Sequence, residues 1–281
     1  MNRKTTKKTV KTILSYLVIA VIGLVLLYPI LWMFFAAFKT NDEIFGSTKL
    51  LATHYSFQNF IDGWRGSGTM TYAVYFWNTF RLVIPVTLLT LVSSTLVAYG
   101  FARFNFPFKK ALFSLLIATL MLPNAVIIIP RYTLFAKFGW IDTYIPFYAL
   151  AALACYPFFI FMLVQFLRGI PRDLDESAYI DGCGTFRTLM QIILPLMKPS
   201  LFSAALFQFM WTYNDYFNSL IFINSGKKYT VSLALRLSLE SVINWGKIMA
   251  TSFVVVLPLI LLFFMAQKYF VEGIATSGLK G

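Results

Sequence analysis

Acidic side chains are scarce: Asp and Glu together number 11 in 281 residues, and charged residues of both signs make up only 12% of the chain. A water-soluble protein carries about twice that share of charge, because it has a wet surface to cover, so a soluble globular fold is excluded. Histidine occurs once, at His54, with no ligand-like neighbours in sequence. The two cysteines, Cys155 in an apolar run and Cys183 in a polar segment, suggest neither a disulfide framework nor a metal site. No metal ligand and no cofactor are assigned. A glycine-rich nucleotide loop and a nucleophile constellation are also missing, which argues against an enzyme. The alternating apolar and polar pattern of a membrane barrel is absent as well.

What the chain has is apolar length. Hydrophobic residues reach 59% and aromatics 18%, gathered into runs that only helices or closed barrels can carry through lipid. At about 20 residues per helix, the length holds about six spans plus their connections, so the expectation is an all-α membrane protein with six transmembrane helices. The spans are placed near residues 13–37, 78–102, 111–129, 145–167, 201–223 and 249–267. They make a transmembrane domain over 13–267, preceded by a basic tail over 1–12, followed by a tail over 268–281, and interrupted by a long polar loop over 168–199. The first apolar run is far longer than the 7–15 residues of a signal peptide and lacks a small-residue cleavage site, so it reads as an uncleaved span.

The net charge of +13 sits mainly in tails and loops beside apolar runs. That is the distribution expected for cytoplasmic anchoring on anionic lipid, and nucleic acid is not called for. The basic N-terminal tail and an even number of spans place both termini in the cytoplasm. The loop bearing Arg103, Lys109 and Lys110 and the loop bearing Arg168, Arg172, Arg187 and Lys198 agree; Lys227, Lys228, Arg236 and Lys247 run against the bias. Prolines fall inside the expected spans at Pro29, Pro85, Pro123, Pro157 and Pro258, where each removes a donor and kinks its helix, either to fit the bundle or to act as a hinge.

The segment from Pro171 to Pro195 carries the most information. Asp173, Asp175 and Glu176 crowd the first turn of a short helix, where carboxylates complement the helix dipole. Gly182 is suited to the left-handed residue that ends it, Thr185 to the cap of a second helix, and that second helix is expected to stop or bend near Pro195. Ser177 and Ala178 are small enough for another protein's surface to come close. The product is a helix-turn-helix too short to hold a core of its own, which fits a docking element.

This segment resembles the EAA loop of ABC importer permeases, whose pattern is Glu-Ala-Ala, three residues, Gly, nine residues, then Ile-x-Leu-Pro. Here it reads Glu176, Ser177, Ala178, then Gly182, then Ile192, Ile193, Leu194, Pro195, with both gaps kept and Ser177 in place of the first alanine. Asp181 and Gly182 match the usual Asp-Gly pair, followed here by Cys183. The C-terminal stretch from Gln267, with Gly273, Gly278 and Gly281, resembles the tail of carbohydrate permeases similar to the smaller maltose-transporter subunit. Tyr213, Asn214, Asp215 and the aromatic Tyr216 resemble their Trp-Asn-Asp-aromatic element, and Ser56 to Phe60 a piece of their first external loop.

The resemblance implies a type I ABC importer-like permease fold in a bacterial or archaeal cytoplasmic membrane. It implies a second homologous permease subunit, an ATP-binding cassette ATPase dimer, an extracytoplasmic solute-binding protein and a sugar substrate. Asp173, Glu176, Ser177, Ala178, Asp181, Gly182, Leu194 and Pro195 would then couple to the ATPase, Gly273, Gly278 and Gly281 would lie along it, and the external loop over 224–245 would meet the binding protein.

In span five, Gln208, Trp211, Tyr213, Asn214, Asp215 and Asn218 combine amides, a carboxylate and aromatic faces. Two readings stand, solute contacts in the pathway or polar bonding to the partner subunit; loss of Asp215 is expected to impair assembly or gating more than solute choice. An ABC permease for a non-sugar solute, an ion-coupled secondary transporter and a non-transporting scaffold are the rival functions. A secondary transporter should show more intramembrane ionisable side chains than Asp215 alone.

Overall fold

The computed structural model describes residues 3–66, 70–239 and 244–278, with side chains placed between residues 11 and 267 of those ranges. Among the described residues the chain is helical, with no strand. In order, the helices are α1 (Arg3–Ala36), α2 (Asn41–Gly46), α3 (Gln58–Arg65), α4 (Tyr72–Arg103), α5 (Lys109–Leu120), α6 (Asn124–Lys137), α7 (Ile145–Ala152) and α8 (Pro157–Arg168). They continue with α9 (Asp173–Ile180), α10 (Thr185–Thr188), a π turn (Leu189–Ile193), α11 (Leu194–Tyr213), α12 (Tyr216–Phe222), α13 (Val231–Ser238) and α14 (Trp245–Gly278).

Five stretches are long and apolar enough to cross a membrane, or six if the bent pair α5 and α6 is one span. The expected third span is therefore not one straight helix. It breaks before Pro123, and its halves diverge by 103°, because a proline cannot donate to the preceding turn and disfavours helical backbone in the residue before it. The fourth breaks between Ala152 and Pro157, with Ala154 in the left-handed region at φ 57°. Pro123 and Pro157 thus stand at helix starts, where a missing donor is harmless; Pro29, Pro85 and Pro258 lie inside helices. The fifth span starts earlier than expected, at Thr185, and ends at Tyr213, with Asn214 and Asp215 separating it from α12.

The chain packs as two compact units, one from the residues up to Tyr72 together with Leu237–Leu257, the other from Ala73–Arg236 with the residues after Leu257. In the first unit, α1 is apolar all round from Ile13 onward and exposes Ile13 and Leu24 by 61% and 64%, the surface that a lipid solvent covers. Beyond its end, Phe38 packs against Phe57 and Phe60 with ring centroids 5.3 and 5.2 Å apart. Asn59 donates to the carbonyls of Ala37 and Lys39 at 2.9 and 3.1 Å, in the turn that follows the helix, where backbone acceptors have no helical partner. A β-carbon at Gly246 would strike the Lys39 carbonyl and the Asn59 amide, so only glycine permits that approach. These contacts give the Ser56-to-Phe60 element its physical role.

The second unit centres on α4, α8 and α11. Ala98, Ala102 and Ala204 lie buried with Phe159, Leu163, Leu167, Ile193 and Met197; small residues let helices approach where lipid provides no hydrophobic drive. A second cluster joins Leu82, Val86, Phe135, Phe147 and Phe222.

Between α6 and α7, Asp142 ties this unit together. It adopts φ 61°, its N–H donates to the Phe222 carbonyl at 2.7 Å, and its carboxylate accepts from the Asn224 and Ser225 amides at 2.9 and 2.8 Å and from Lys228 Nζ at 2.8 Å. Burial alone would raise its pKa, but hydrogen bonds from Lys228, Ser225 and Asn224 outweigh that and hold it well below the usual carboxylate range. A depressed folded pKa contributes stability above the unfolded value and loses it as pH falls through the folded one. Asp142→Asn should therefore lower the thermal midpoint of the purified protein by about 3 °C at neutral pH. That gap should narrow as the pH drops below about 4; equal midpoints at neutral pH would contradict the role given to this carboxylate.

Candidate functional site

The Pro171-to-Pro195 segment folds as the helix-turn-helix its residues suggest. Asp173, Asp175 and Glu176 occupy the first turn of α9, and the Asp175 and Glu176 amides bond the Arg172 carbonyl at 2.8 and 3.1 Å. Asp181 caps the C-terminal end and Gly182 follows at φ 79°, the left-handed conformation that ends many helices. No atom lies within 4 Å of a β-carbon built at Gly182, so the need for glycine there is conformational, not spatial. The cap of α10 is Gly184 in place of the expected Thr185, which is the first helical residue.

Of the expectation that the second helix stops or bends near Pro195, the stop is overturned. α10, the π turn and α11 run continuously from Thr185 to Tyr213. Leu194 donates its N–H to the Leu189 carbonyl, five residues back, and this widened turn delivers the chain to Pro195 at the start of α11 without the clash a proline makes with a tighter turn. Leu194 is half-buried against the α4–α8–α11 core and Pro195 is exposed.

One side of α9 is fixed to the rest of the unit. Arg103, at the end of α4, is 6% exposed and forms an ion pair with Asp175 at 3.0 Å, a contact between charges that is not a well-directed hydrogen bond. Both of its terminal nitrogens donate to the Ile170 carbonyl at 3.2 Å, and Arg172 donates to the Ala102 carbonyl at 3.2 Å. Ala178 turns inward and is 2% exposed, so it packs within the chain. The rest of the loop is bare: Tyr179 and Ile180 of α9 and Phe186 of α10 are 81%, 84% and 68% exposed, and Asp173, Glu176, Ser177, Asp181 and Gly182 are also exposed.

The span-five residues separate into two groups. Gln208, Trp211, Asn214, Asp215 and Asn218 line one cavity of about 490 Å³, with Asn124, Arg131, Cys155 and Tyr156 among the other lining residues. Tyr213 is not among them. It is buried, stacked on Phe209 at 5.9 Å and packed on Phe80. Asp215 is not inside a helix, as expected, but at the break, where its carboxylate accepts from the Asn218 amide at 3.0 Å and from Asn218 Nδ2 at 2.8 Å. Gln208 donates to Thr212 Oγ1 at 2.9 Å. Of the tail residues, Gly273 and Gly278 lie in α14, and Gly281 falls outside the described residues.

A family model described as the binding-protein-dependent transport system inner membrane component matches residues 94–276, a stretch that contains both the α9–α10 loop and the cavity. The chain belongs to this family. It is 32% identical to the probable ABC transporter permease protein YurM of Bacillus subtilis, with 90% of this chain and 84% of the relative covered. It is 29% identical to the trehalose/maltose transport system permease protein MalG of Thermococcus litoralis, over 98% and 99%. In fold it is similar to a crystal structure of a bacterial ABC transporter that imports the acidic polysaccharide alginate, with TM-score 0.75, 18% identity and coverage of 96% and 99%. This inner membrane component is accordingly a multi-pass membrane protein and a transport subunit of a binding-protein-dependent system.

Two residues central to this geometry escaped the sequence reading. Arg131 lies two residues beyond the expected end of the third span, at 129, and only the bend that extends the apolar stretch through α6 brings it into the cavity. Arg103 read as one more interfacial cation; its ion pair links residues 72 positions apart, and nothing local in sequence signals it.

Removing one partner of a mostly buried ion pair strands the other charge. Arg103→Ala should loosen α9 by about 3 kcal/mol, seen as amide hydrogen exchange on the order of 100-fold faster across residues 175–183. Arg103→Lys, which keeps the charge but not the fork to Ile170, should fall between. Unchanged exchange in Arg103→Ala would show that the pair does not hold α9.

Proposed function

We propose that this chain is one of two permease halves of an ATP-driven importer for a sugar or oligosaccharide, coupled to its motor through the α9–α10 loop. The observation that carries the reading is the division of that loop. Asp175 and Ala178 fix it to α4 and the interior, while Tyr179, Ile180 and Phe186 project bare from a short polar loop. Exposed apolar groups clustered on a rigid mount mark a surface that another protein covers.

In this reading the loop is cytoplasmic, and both chain termini lie on that side. An ATP-binding cassette ATPase receives Ser177, Tyr179 and Ile180, with Asp173, Glu176 and Asp181 as charged contacts around them, and the tail with Gly273 and Gly278 runs along the same partner. A second, homologous permease completes the pathway, and a solute-binding protein delivers cargo on the opposite face. ATP binding draws the two docked loops together and hydrolysis releases them. The permease converts that displacement into a change of access, a two-state equilibrium biased by nucleotide. The carbohydrate assignment is supported by the resemblance of the Asn214–Asp215 element and of the tail, and by relatives named for trehalose/maltose and arabinooligosaccharide transport.

The test uses the complete transporter in proteoliposomes. Ser177→Cys should be captured by a short thiol cross-linker on the ATPase. Gly182→Val places a β-branched residue in left-handed backbone at a cost of about 1–2 kcal/mol and should uncouple ATP hydrolysis from uptake, whereas Gly182→Asn, which tolerates that backbone, should keep most of the coupling. Full uptake by Gly182→Val, together with no capture of the ATPase in a working complex, would refute the docking role.

A further inference from the structure

Three helix breaks in the second unit converge on one place. The turn at 121–123 between α5 and α6, the turn at 153–156 between α7 and α8, and Asn214–Asp215 between α11 and α12 all border the 490 Å³ cavity, through Asn124, Cys155 with Tyr156, and Asn214 with Asp215. Non-helical backbone at membrane depth persists only where it is buried in protein or lines a polar cavity. At the second break Ala154 is held at φ 57°, a conformation that costs a non-glycine residue about 1–2 kcal/mol. Such strain concentrates at binding sites.

Polar groups in and just behind the cavity wall lack partners within the described residues. Gln208 is 2% exposed and its Oε1 has no hydrogen-bond partner among the described residues. Leaving such an acceptor unmet is unfavourable unless something else meets it. Arg131 takes part in neither of the ion pairs found among the described residues, Arg103–Asp175 and Lys228–Asp142. Among the described residues, Arg131 and Asp215 are the only formal charges on the cavity wall, so they balance there. Trp211, half-exposed and braced by Phe158 and Phe159 at 4.9 and 5.2 Å, adds a flat apolar face.

We propose that this cavity is a solute station in this subunit, taking a ring of a neutral polyhydroxylated saccharide, with Arg131 bonding hydroxyls, Trp211 covering a ring face and the buried Gln208 amide in the wall behind them. The volume lies in the range of small-molecule sites. The balanced charge selects a neutral ring over an acidic one, which would leave Asp215 facing a second anion. Asp215 itself shapes the wall, since both its oxygens already accept from Asn218. The proposal rests on the carbohydrate reading above and goes beyond it by placing solute contacts in this chain.

The experiment measures uptake and binding-protein-stimulated ATP hydrolysis side by side in the reconstituted full transporter. The probes are maltose, trehalose and an arabinooligosaccharide, with an alginate oligosaccharide as the acidic comparator. Arg131→Met should reduce neutral-saccharide uptake roughly tenfold, the loss of one hydrogen bond to a charged group, while hydrolysis stays within about twofold. Independently of any variant, the transported saccharide should slow maleimide labelling of Cys155 in the wild-type complex, followed on its own peptide. If uptake and hydrolysis fall together, or uptake does not fall, and Cys155 labelling ignores the sugar, the station is overturned. A wild-type complex that moves none of these saccharides while hydrolysing ATP overturns the carbohydrate reading, and this ligand class with it.

Discussion

Inside a bilayer a peptide N–H or C=O has no water to turn to, and this one constraint orders the molecule. It makes the chain helical wherever lipid touches it, as along α1, whose side chains are almost all outward. It also dictates what happens where a helix ends. At the end of α1 the side chain of Asn59 takes two loose carbonyls. Near the end of α12 Asp142 gathers the amides of Asn224 and Ser225 and gives its own N–H to Phe222. Three further breaks border one cavity, and beside it the acceptor of Gln208 has no partner among the described residues.

The α9–α10 loop solves a different problem: a segment too short for its own core has to be stiff. Arg103 does this by reaching from the end of α4 to a side chain in the first turn of α9 and to the carbonyl of Ile170. A single guanidinium spanning two separate attachments fixes direction as well as distance. The inward turn of Ala178 changes the meaning of the small pair Ser177–Ala178. One member packs within the chain, and the other stays exposed.

Much of this architecture could be read from composition and spacing. Helical spans follow from the length of apolar runs, and the helix-turn-helix follows from acidic residues at its start and glycine at its turn. The turn is local chemistry, and φ 79° at Gly182 agrees with it. What could not be read has a common cause. The 103° bend at Pro123 and the passage through Pro195 depend on whether a proline meets the end of a turn or its middle, and that is set by packing. The Arg103–Asp175 pair and the approach of Arg131 to the cavity join distant positions with no periodic trace. Tyr213 shows the converse: a residue beside Asn214 in sequence points into an aromatic stack, because neighbours on a helix face different ways.

The unbroken stretch from Thr185 to Tyr213 has 29 residues, about 43 Å of helix at 1.5 Å per residue, against a hydrocarbon layer about 30 Å thick. One extremity adjoins the Gly182 turn and the other adjoins Asn214 on the chamber wall. The two extremities are thus joined by one continuous helical run, whose irregular points are the π turn at Leu189–Ile193 and Pro199 within α11. In the reading proposed above, the wall offered to cargo and the loop offered to the motor are the two ends of one element.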